Sequence, residues 1–182
     1  MNAETKAKVM PPLVLTLICA ISVALLVIAY NATYVDTTGV ITDKLSGGLS
    51  EIYGSADGFS MLMNDDGTVK TYDGVTSVIA DENGNVSFEV TADGYSKGGL
   101  HLLVGMDSSG SVCGISVLTI GETPGLGTKV QDPDYLAGYN GISSADFEPH
   151  VITGATFSSK GMKAAVTAAV NAYDSMKGEG LA

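Results

Sequence analysis

Residues 100–120, LHLLVGMDSSGSVCGISVLTI, decide the fold of this chain. Two runs rich in Leu, Val and Ile, Leu100–Met106 and Val112–Ile120, flank the turn-forming segment Asp107-Ser108-Ser109-Gly110. Short apolar runs on either side of a glycine-containing loop are typical of a β-hairpin. The segment therefore predicts a hairpin at the centre of an antiparallel or mixed sheet.

The same turn chemistry recurs upstream of this hairpin. Asn64-Asp65-Asp66-Gly67 and Glu82-Asn83-Gly84-Asn85 each separate short runs rich in Val, Ile, Phe and Leu. After the second turn, Val86, Phe88 and Val90 alternate with polar residues, which is the period of a half-buried strand. These segments predict further strands of the same sheet.

Helical signals mark three segments around the sheet. Apolar residues recur at helical spacing from Thr42 to Tyr53 and from Ser159 to Lys177, where Gly178 supplies a stop signal. Asp132-Pro133-Asp134 is typical of a helix start, with the aspartate as cap and the proline at the first helical position. The fold class is therefore α+β, with a C-terminal helix after the sheet.

An uncharged apolar run, Leu13–Tyr30, precedes all of these segments. At 1.5 Å per residue, about 18 helical residues reach about 27 Å, enough to cross the hydrocarbon core of a bilayer. Pro11 and Pro12 are expected in the first turn of this helix, and Tyr34 is expected, with Tyr30, at the far interface. The run predicts a single transmembrane helix. A cleaved signal peptide is the alternative, but the run is longer than is usual for one and no small-residue cleavage site follows.

The charges around this run predict its orientation. Lys6 and Lys8 lie before it, whereas the first charge after it is Asp36. By the positive-inside rule the N-terminus is cytoplasmic and the main domain lies on the other side of the membrane. The predicted division is a cytoplasmic tail over residues 1–12, a transmembrane anchor over residues 13–34 and an extracytoplasmic domain over residues 35–182.

Composition limits the classes of function. The chain has 182 residues, enough for one domain with its own core plus appendages. The net charge is −11 and all nine basic residues are lysines, so nucleic acid is an unfavourable partner. Cys19 and Cys113 lie in unlike surroundings, the second in a predicted strand as a core residue. His101 and His150 have no second ligand at metal spacing, so neither a disulfide nor a metal site is expected.

A strand-to-helix turn precedes the C-terminal helix. The sequence His150-Val151-Ile152-Thr153-Gly154-Ala155-Thr156-Phe157-Ser158-Ser159 runs from apolar residues into small ones and then into a helix N-terminus. Free backbone N–H groups and the positive end of the helix dipole favour an anion there, such as a phosphate. Thr156 offers a hydroxyl at the same place. The alternative is that Thr156 only caps the helix, since such caps are common.

A second glycine-rich segment follows the predicted strand Val112–Ile120. It reads Gly121-Glu122-Thr123-Pro124-Gly125-Leu126-Gly127-Thr128-Lys129. Its glycines and proline predict a tight, preshaped loop. The two segments together, Glu-Thr-Pro-Gly-Leu-Gly and the later Thr-Gly-Ala-Thr, behind a membrane anchor and with Gly94-Tyr95 ahead of the hairpin, resemble the FMN-binding domain family.

Within that family the chain is most similar to the G subunits of Rnf ion-translocating electron-transport complexes. The C subunits of the sodium-pumping NADH:quinone oxidoreductase are their relatives. This resemblance implies a covalently attached FMN, which a flavin transferase transfers from FAD to the last threonine of a recognition pattern. That pattern is Asp, two variable residues, Ser or Thr, and then Gly-Ala-Thr.

Carried onto this chain, the resemblance makes Thr156 the acceptor of the FMN phosphoryl group, with Thr153, Gly154 and Ala155 completing the recognition sequence. His150 occupies the place of the family aspartate. A second departure is Ile120, where relatives commonly have a histidine.

The resemblance also implies that the second loop lies against the flavin. The cofactor-binding residues expected there are Glu122, Thr123, Gly125, Leu126 and Gly127, with Thr128 and Lys129 as weaker candidates. Lys160 and Lys163, early in the C-terminal helix, could face the phosphate or be solvated surface residues. No residue is expected to be catalytic, because a carrier of this kind has no substrate pocket of its own.

The function implied is an electron-transfer subunit of a membrane-bound Rnf-type complex that couples ferredoxin:NAD electron transfer to Na⁺ or H⁺ translocation. Its partners would be the other subunits, the membrane and a flavin transferase. Two alternatives stay open: a covalent-FMN carrier in another extracytoplasmic pathway, and an unmodified membrane-anchored module for assembly or ligand binding.

Overall fold

The structure is a computed structural model that describes residues 3–33, 38–148 and 150–180, with side chains from Met10 onward. The chain divides into two compact units, one before Thr38 and one that begins there. The predicted boundary between anchor and outer domain, and Tyr34 with it, lies outside the described residues.

The first unit is a helix, α1, Ala3–Thr33. Its segment Met10–Thr33 is long and apolar enough to cross a membrane, and its side chains are exposed. The helix begins earlier than predicted, so Pro11 and Pro12 lie inside it rather than in its first turn. The fixed φ of proline, about −65°, is itself helical, but each proline inside a helix removes one backbone hydrogen bond and its ring crowds the carbonyl four residues earlier.

The second unit is built on a five-stranded sheet in the order β1-β2-β3-β4-β5, and every neighbouring pair is antiparallel. The α+β class is confirmed. The hairpin of β4 and β5 is also confirmed, but β5 lies at one edge of the sheet, so the hairpin is not central. The strands are β1, Ser60–Met61; β2, Val75–Ala80; β3, Val86–Ala92; β4, Leu100–Met106; and β5, Val112–Ile120.

Two of the predicted turns close the hairpins of this sheet in the same way. Asp81 accepts hydrogen bonds from the backbone N–H groups of Asn83 and Asn85, as Asp107 does from Ser109 and Ser111. The glycine of each turn has a positive φ, +84° and +82°, which a residue with a Cβ rarely adopts. An aspartate followed by a glycine three residues later therefore specifies both loops.

Each face of the sheet is covered by one helix. On one face, the helix α2, Asp43–Tyr53, packs Leu45 and Leu49 against Ile79 and Leu103. Thr42, from which the helical spacing was counted, is the N-cap of α2, and its side chain accepts from the N–H of Leu45.

The larger core lies on the opposite face, under the C-terminal helix α4, Thr156–Gly178. Alternate residues of β3 and β4 point toward this helix, which is the pleat of a sheet with two covered faces. The fully buried side chains of this core include Phe88, Val90, Leu100, Leu102, Val104, Met106, Met162, Ala165, Val166 and Ala169.

The connection from β5 to α4 carries two short helices. A 3-10 helix, Gly127–Gln131, is followed by α3, Pro133–Ala137, which starts at the predicted Asp132-Pro133 signal. The side chain of Asp132 makes no capping hydrogen bond, however, so the proline sets the start of α3. Cys113 in β5 is half-buried rather than part of the core.

Candidate functional site

The two glycine-rich segments meet at one cleft. After β5 the chain turns at Glu122, and the first turn of α4 comes back beside this loop. The cleft has a volume of about 390 Å³. It is lined by Tyr95, Thr123, Leu126, Gly127, Gly154, Ala155, Phe157 and Ser158. Five of the predicted site residues thus share one cavity wall, namely Thr123, Leu126, Gly127, Gly154 and Ala155.

The turn before α4 requires a glycine. The N–H of Ala155 donates to the carbonyl of Ile152 at 2.9 Å, and Gly154 between them has a φ of +86°. This is the geometry of a type II turn, whose third position strongly favours glycine. A Cβ on Gly154 would also lie 3.1 Å from Leu126 Cδ1. Gly154 therefore allows the two segments to approach each other.

Ser159 holds this turn from inside. Its hydroxyl accepts from the N–H of Ile152 at 3.1 Å and donates to the carbonyl of Ala155 at 3.0 Å. The side chain is fully buried. Ser159 was predicted as the start of the helix, with no function of its own.

Thr156 is the first residue of α4, three residues before the predicted start. The N-cap position is Ala155, which has no side-chain capping bond, so Thr156 is not the cap. Thr156 is exposed, and within the described part of the chain its hydroxyl has no hydrogen-bond partner. The first turn of α4 contains no acidic residue. An exposed hydroxyl thus stands at a helix N-terminus that favours an anion. Thr153, earlier in the turn, is also exposed but does not line the cleft.

The loop after β5 is braced by its own threonines. Gly125, with a φ of +73°, donates its N–H to Thr128 Oγ1 at 2.9 Å, and the N–H of Thr128 donates to the carbonyl of Thr123 at 3.2 Å. These bonds turn Leu126 outward, where 43% of it is exposed. Thr128 is therefore an internal brace of the loop, and Gly125 supplies the turn without lining the cleft.

Glu122 lies behind the cleft rather than in its wall. Only 5% of the residue is exposed. Its carboxylate accepts from the N–H groups of Tyr95 at 2.9 Å and Ser96 at 3.0 Å, and from the hydroxyl of Ser158. Burial acts to raise the pKa of Glu122, but the Ser158 hydroxyl and the two N–H donors outweigh it and hold the pKa below its ordinary value. The carboxylate is thus kept ionised.

Two exposed aromatic rings border the cleft. Tyr95 is 74% exposed and Phe157 is 64% exposed, and their ring centroids lie 6.4 Å apart in an edge-to-face arrangement. Large exposed apolar groups gathered at one place are typical of a surface that binds something. Tyr95 was predicted only as part of the Gly94-Tyr95 motif, and Phe157 had no predicted role, although it directly follows the predicted acceptor threonine.

The lysines near the cleft differ in their contacts. Lys163 places its ammonium group 5.5 Å from the ring centroid of Phe147, a cation–π contact, so it is engaged with that ring. Lys160 and Lys129 are exposed. His150 is exposed as well, and its carbonyl accepts from the Tyr135 hydroxyl at 2.8 Å. Among the described residues, no three His, Cys, Asp or Glu side chains are grouped to hold a metal ion.

Comparison with known families agrees with this geometry. Residues 94–171 match the sequence model of the family described as FMN-binding domain. Every residue that lines the cleft falls within the matched stretch. The resemblance inferred from the paired motifs is confirmed for this part of the chain, which is similar to the FMN-binding domain family.

Three relatives carry the name of the G subunit of an ion-translocating oxidoreductase complex. The protein of Haemophilus influenzae is 46% identical over 67 residues, 34% of this chain and 32% of that protein. The protein of Vibrio cholerae is 38% identical over 91 residues, which are 44% of this chain and 40% of that protein. The protein of Cereibacter sphaeroides is 29% identical over 150 residues, 75% of this chain and 65% of that one.

The chain therefore spans less than two thirds of the length of each of these relatives. Their names refer to complexes that translocate ions, and α1 contains a segment able to cross a membrane. Together these findings indicate a membrane protein whose described residues include one candidate membrane span.

Proposed function

We propose that this chain is the FMN-carrying electron-transfer subunit of a membrane-bound, ion-translocating oxidoreductase complex of the Rnf type. In this proposal Thr156 holds the cofactor covalently through the phosphoryl group of FMN. The observation that carries the proposal is the exposed Thr156 hydroxyl, which stands at the N-terminus of α4 beside a cleft built from both glycine-rich segments.

The residues present fit an FMN group in two respects. The start of α4 has no side-chain cap and no acidic residue in its first turn, so a phosphate there would be stabilised by the helix dipole, by about 0.3–1 kcal/mol. The exposed rings of Tyr95 and Phe157 and the side chain of Leu126 offer apolar surface for a flat aromatic ring. The residues that would hold FMN are thus Thr156 for the phosphate and the cleft wall for the flavin, with Thr153, Gly154 and Ala155 as the sequence read by the transferase.

Attachment would require only the hydroxyl of Thr156 from this chain. Its Oγ1 would form the new P–O bond while the pyrophosphate bond of FAD breaks, AMP leaves and the hydroxyl proton is released. A flavin transferase would supply the catalysis. The exposure of Thr153, Gly154 and Thr156 supports access by such an enzyme.

When bound, FMN supplies the capacity to accept and donate electrons. The protein would hold the flavin at the surface, where partner subunits can approach it, and would prevent its loss through the covalent bond. The surroundings of the flavin would be shaped from the cleft wall by Thr123, Leu126 and Gly127. Glu122 and Gly125 would contribute from outside the cleft wall.

The complex would transfer electrons between ferredoxin and NAD and move Na⁺ or H⁺ across the membrane, with the remaining subunits as partners. The names of the relatives support the ion-translocating part of this proposal. The lysines at positions 6 and 8 support an orientation with a cytoplasmic N-terminus and an extracytoplasmic domain.

Coexpression with a flavin transferase tests the attachment. The wild-type band on a denaturing gel is expected to fluoresce under ultraviolet light, and its intact mass is expected to rise by one FMN group. Thr156→Ala should abolish both signals. Thr167→Ala is the matched control, because Thr167 lies in the same helix but outside the cleft. A dark wild-type band, or a fluorescent Thr156→Ala band, would contradict the proposal.

A further inference from the structure

The Glu122 carboxylate joins three separate segments that form the cofactor cleft. Its donors come from the loop before β4, at Tyr95 and Ser96, and from the first turn of α4, at Ser158. Glu122 itself is the second residue of the loop after β5. Tyr95 and Ser158 line the cleft, whereas Glu122 does not. The carboxylate therefore lies one side chain behind the cleft wall.

Three glycines leave room for this carboxylate. A Cβ on Gly99 would lie 2.3 Å from Glu122 Oε1, and one on Gly94 would lie 2.6 Å from the same atom. A Cβ on Gly127 would lie 2.9 Å from Glu122 Oε2. None of the three has a positive φ, so their backbone conformations do not require glycine. The space that they leave is occupied by the carboxylate group and, at Gly127, also by the Ser158 hydroxyl.

The hydrogen bonds to Glu122 are charge-assisted, because their acceptor is an ionised carboxylate. Hydrogen bonds to an ionised acceptor contribute about twice as much as those between neutral groups, and their loss inside a protein leaves buried donors without partners. A single side chain thus holds the loop before β4, the loop after β5 and the start of α4 in one arrangement.

The charge of Glu122 has a second effect. A charge fixed in a poorly solvated position acts on a neighbouring group more strongly than it would in water. Reduction of a flavin adds negative charge to it. A carboxylate directly behind the cleft wall disfavours that added charge, and so lowers the reduction potential of a flavin in the cleft.

We propose that Glu122 is a positioning residue that fixes the cofactor cleft from behind and lowers the reduction potential of the bound flavin without contacting it. The part of this inference that concerns potential rests on the proposed function. The part that concerns positioning is a property of the polypeptide alone.

Hydrogen exchange on the full-length, flavin-free chain in detergent tests the positioning role. In Glu122→Gln one amide oxygen replaces two acceptors, so exchange should accelerate in residues 94–99 and at the start of α4, and stay unchanged in β3. Glu51→Gln is the matched control, because Glu51 also accepts from a serine hydroxyl, that of Ser116, but on the opposite face of the sheet. Unchanged exchange at residues 94–99 in Glu122→Gln would overturn the positioning role.

The midpoint potential of the attached flavin, measured by spectroelectrochemical titration, tests the electrostatic role. Glu122→Gln should shift it upward, and Glu51→Gln should leave it unchanged. Ser158→Ala keeps the negative charge of Glu122 but removes one hydrogen-bond donor that partly offsets this charge. The variant should therefore shift the midpoint potential downward. It replaces Glu122→Gln as the test if Glu122→Gln does not fold.

The electrostatic role would be overturned if the midpoint potential of folded Glu122→Gln were unchanged or lower than that of wild type. It would also be overturned if the midpoint potential of Ser158→Ala were unchanged or higher. Absence of flavin from wild-type Thr156 would defeat the proposed function instead, and the exchange measurement would still decide whether Glu122 positions the cleft. The two failures are therefore distinguishable.

Discussion

Leu126 covers Gly154 so closely that a Cβ added to Gly154 would lie 3.1 Å from Leu126 Cδ1. These residues belong to the two different glycine-rich segments of the sequence. Their contact shows how the loop after β5 and the turn before α4 form one cleft, and it makes the conformation of Gly154 a determinant of cleft shape.

Gly154→Ala should destabilise the fold and impair flavin attachment. A residue with a Cβ at a φ of +86° costs about 1–2 kcal/mol, and the contact with Leu126 adds to that cost. Urea unfolding should show the loss, and gel fluorescence should show less attached flavin. Gly47→Ala is the control, since that helical glycine has nothing within 4 Å of an added Cβ and should become slightly more stable. Equal stability of Gly154→Ala and wild type would contradict this expectation.

Ser159→Ala should destabilise the turn that carries the acceptor threonine. The fully buried hydroxyl bonds to the N–H of Ile152 and the carbonyl of Ala155, and removing it leaves the partly buried N–H of Ile152 without its acceptor, at a cost of about 1 kcal/mol or more. Ser175→Ala in the same helix is the matched control. Ser175 is exposed and, among the described residues, its hydroxyl donates only to the Asn171 carbonyl within α4, so its loss should change the unfolding free energy little. Similar losses in the two variants would refute the role given to Ser159.

Phe157→Ala should affect the cofactor more than the fold. The ring is 64% exposed and its edge-to-face contact with Tyr95 contributes about 1 kcal/mol or less to stability. If the flavin lies against this ring, its fluorescence should be quenched more strongly by iodide in Phe157→Ala. Val40→Ala, which removes an exposed apolar side chain outside the cleft, should leave quenching as in wild type. Identical quenching in all three proteins would place the flavin elsewhere.

The pH dependence of stability should reveal Glu122. Its pKa in the folded protein is below the ordinary value of 4.5, so its ionised form stabilises the fold. That contribution is fully present above pH 4.5 and is lost as pH falls through the lower folded pKa. The difference in unfolding free energy between wild type and Glu122→Gln should therefore be largest above pH 4.5 and shrink in more acidic solution. A difference independent of pH would show that the charge of Glu122 does not contribute.

The strands and turns could be predicted from the sequence because their signals are local. Asp107 and Gly110 specify a hairpin loop within a few residues, and the apolar runs beside it have the bounds of β4 and β5. The position of β5 at the sheet edge could not be predicted in the same way, since strand order depends on which segments cover the sheet. The start of α4 was placed late because Thr156, Phe157 and Ser158 lack the apolar periodicity that begins at Met162.

In the candidate site, too, features with local sequence signals could be predicted, and long-range contacts could not. Thr156, Gly154 and Leu126 were predicted from short motifs, whereas the contacts of Glu122 join residues 26 to 36 positions away from it. A loop glutamate gives no local sign that it is buried. The resemblance therefore placed Glu122 on the flavin, while the structure places its carboxylate behind the cleft wall, among backbone N–H groups.

His150→Asp should increase the rate at which a flavin transferase modifies Thr156. The recognition pattern of the FMN-binding domain family has an aspartate at this position, and a charge-assisted hydrogen bond of about 1.4 kcal/mol would correspond to about a tenfold faster reaction. The backbone should not change, because the His150 carbonyl is held by the Tyr135 hydroxyl and the side chain is exposed. The initial rate of fluorescent band formation would measure the effect. His150→Asn, similar in size to aspartate but neutral, separates charge from shape and should react more slowly than His150→Asp. Equal rates for wild type and both variants would mean that the transferase reads only residues 153–156.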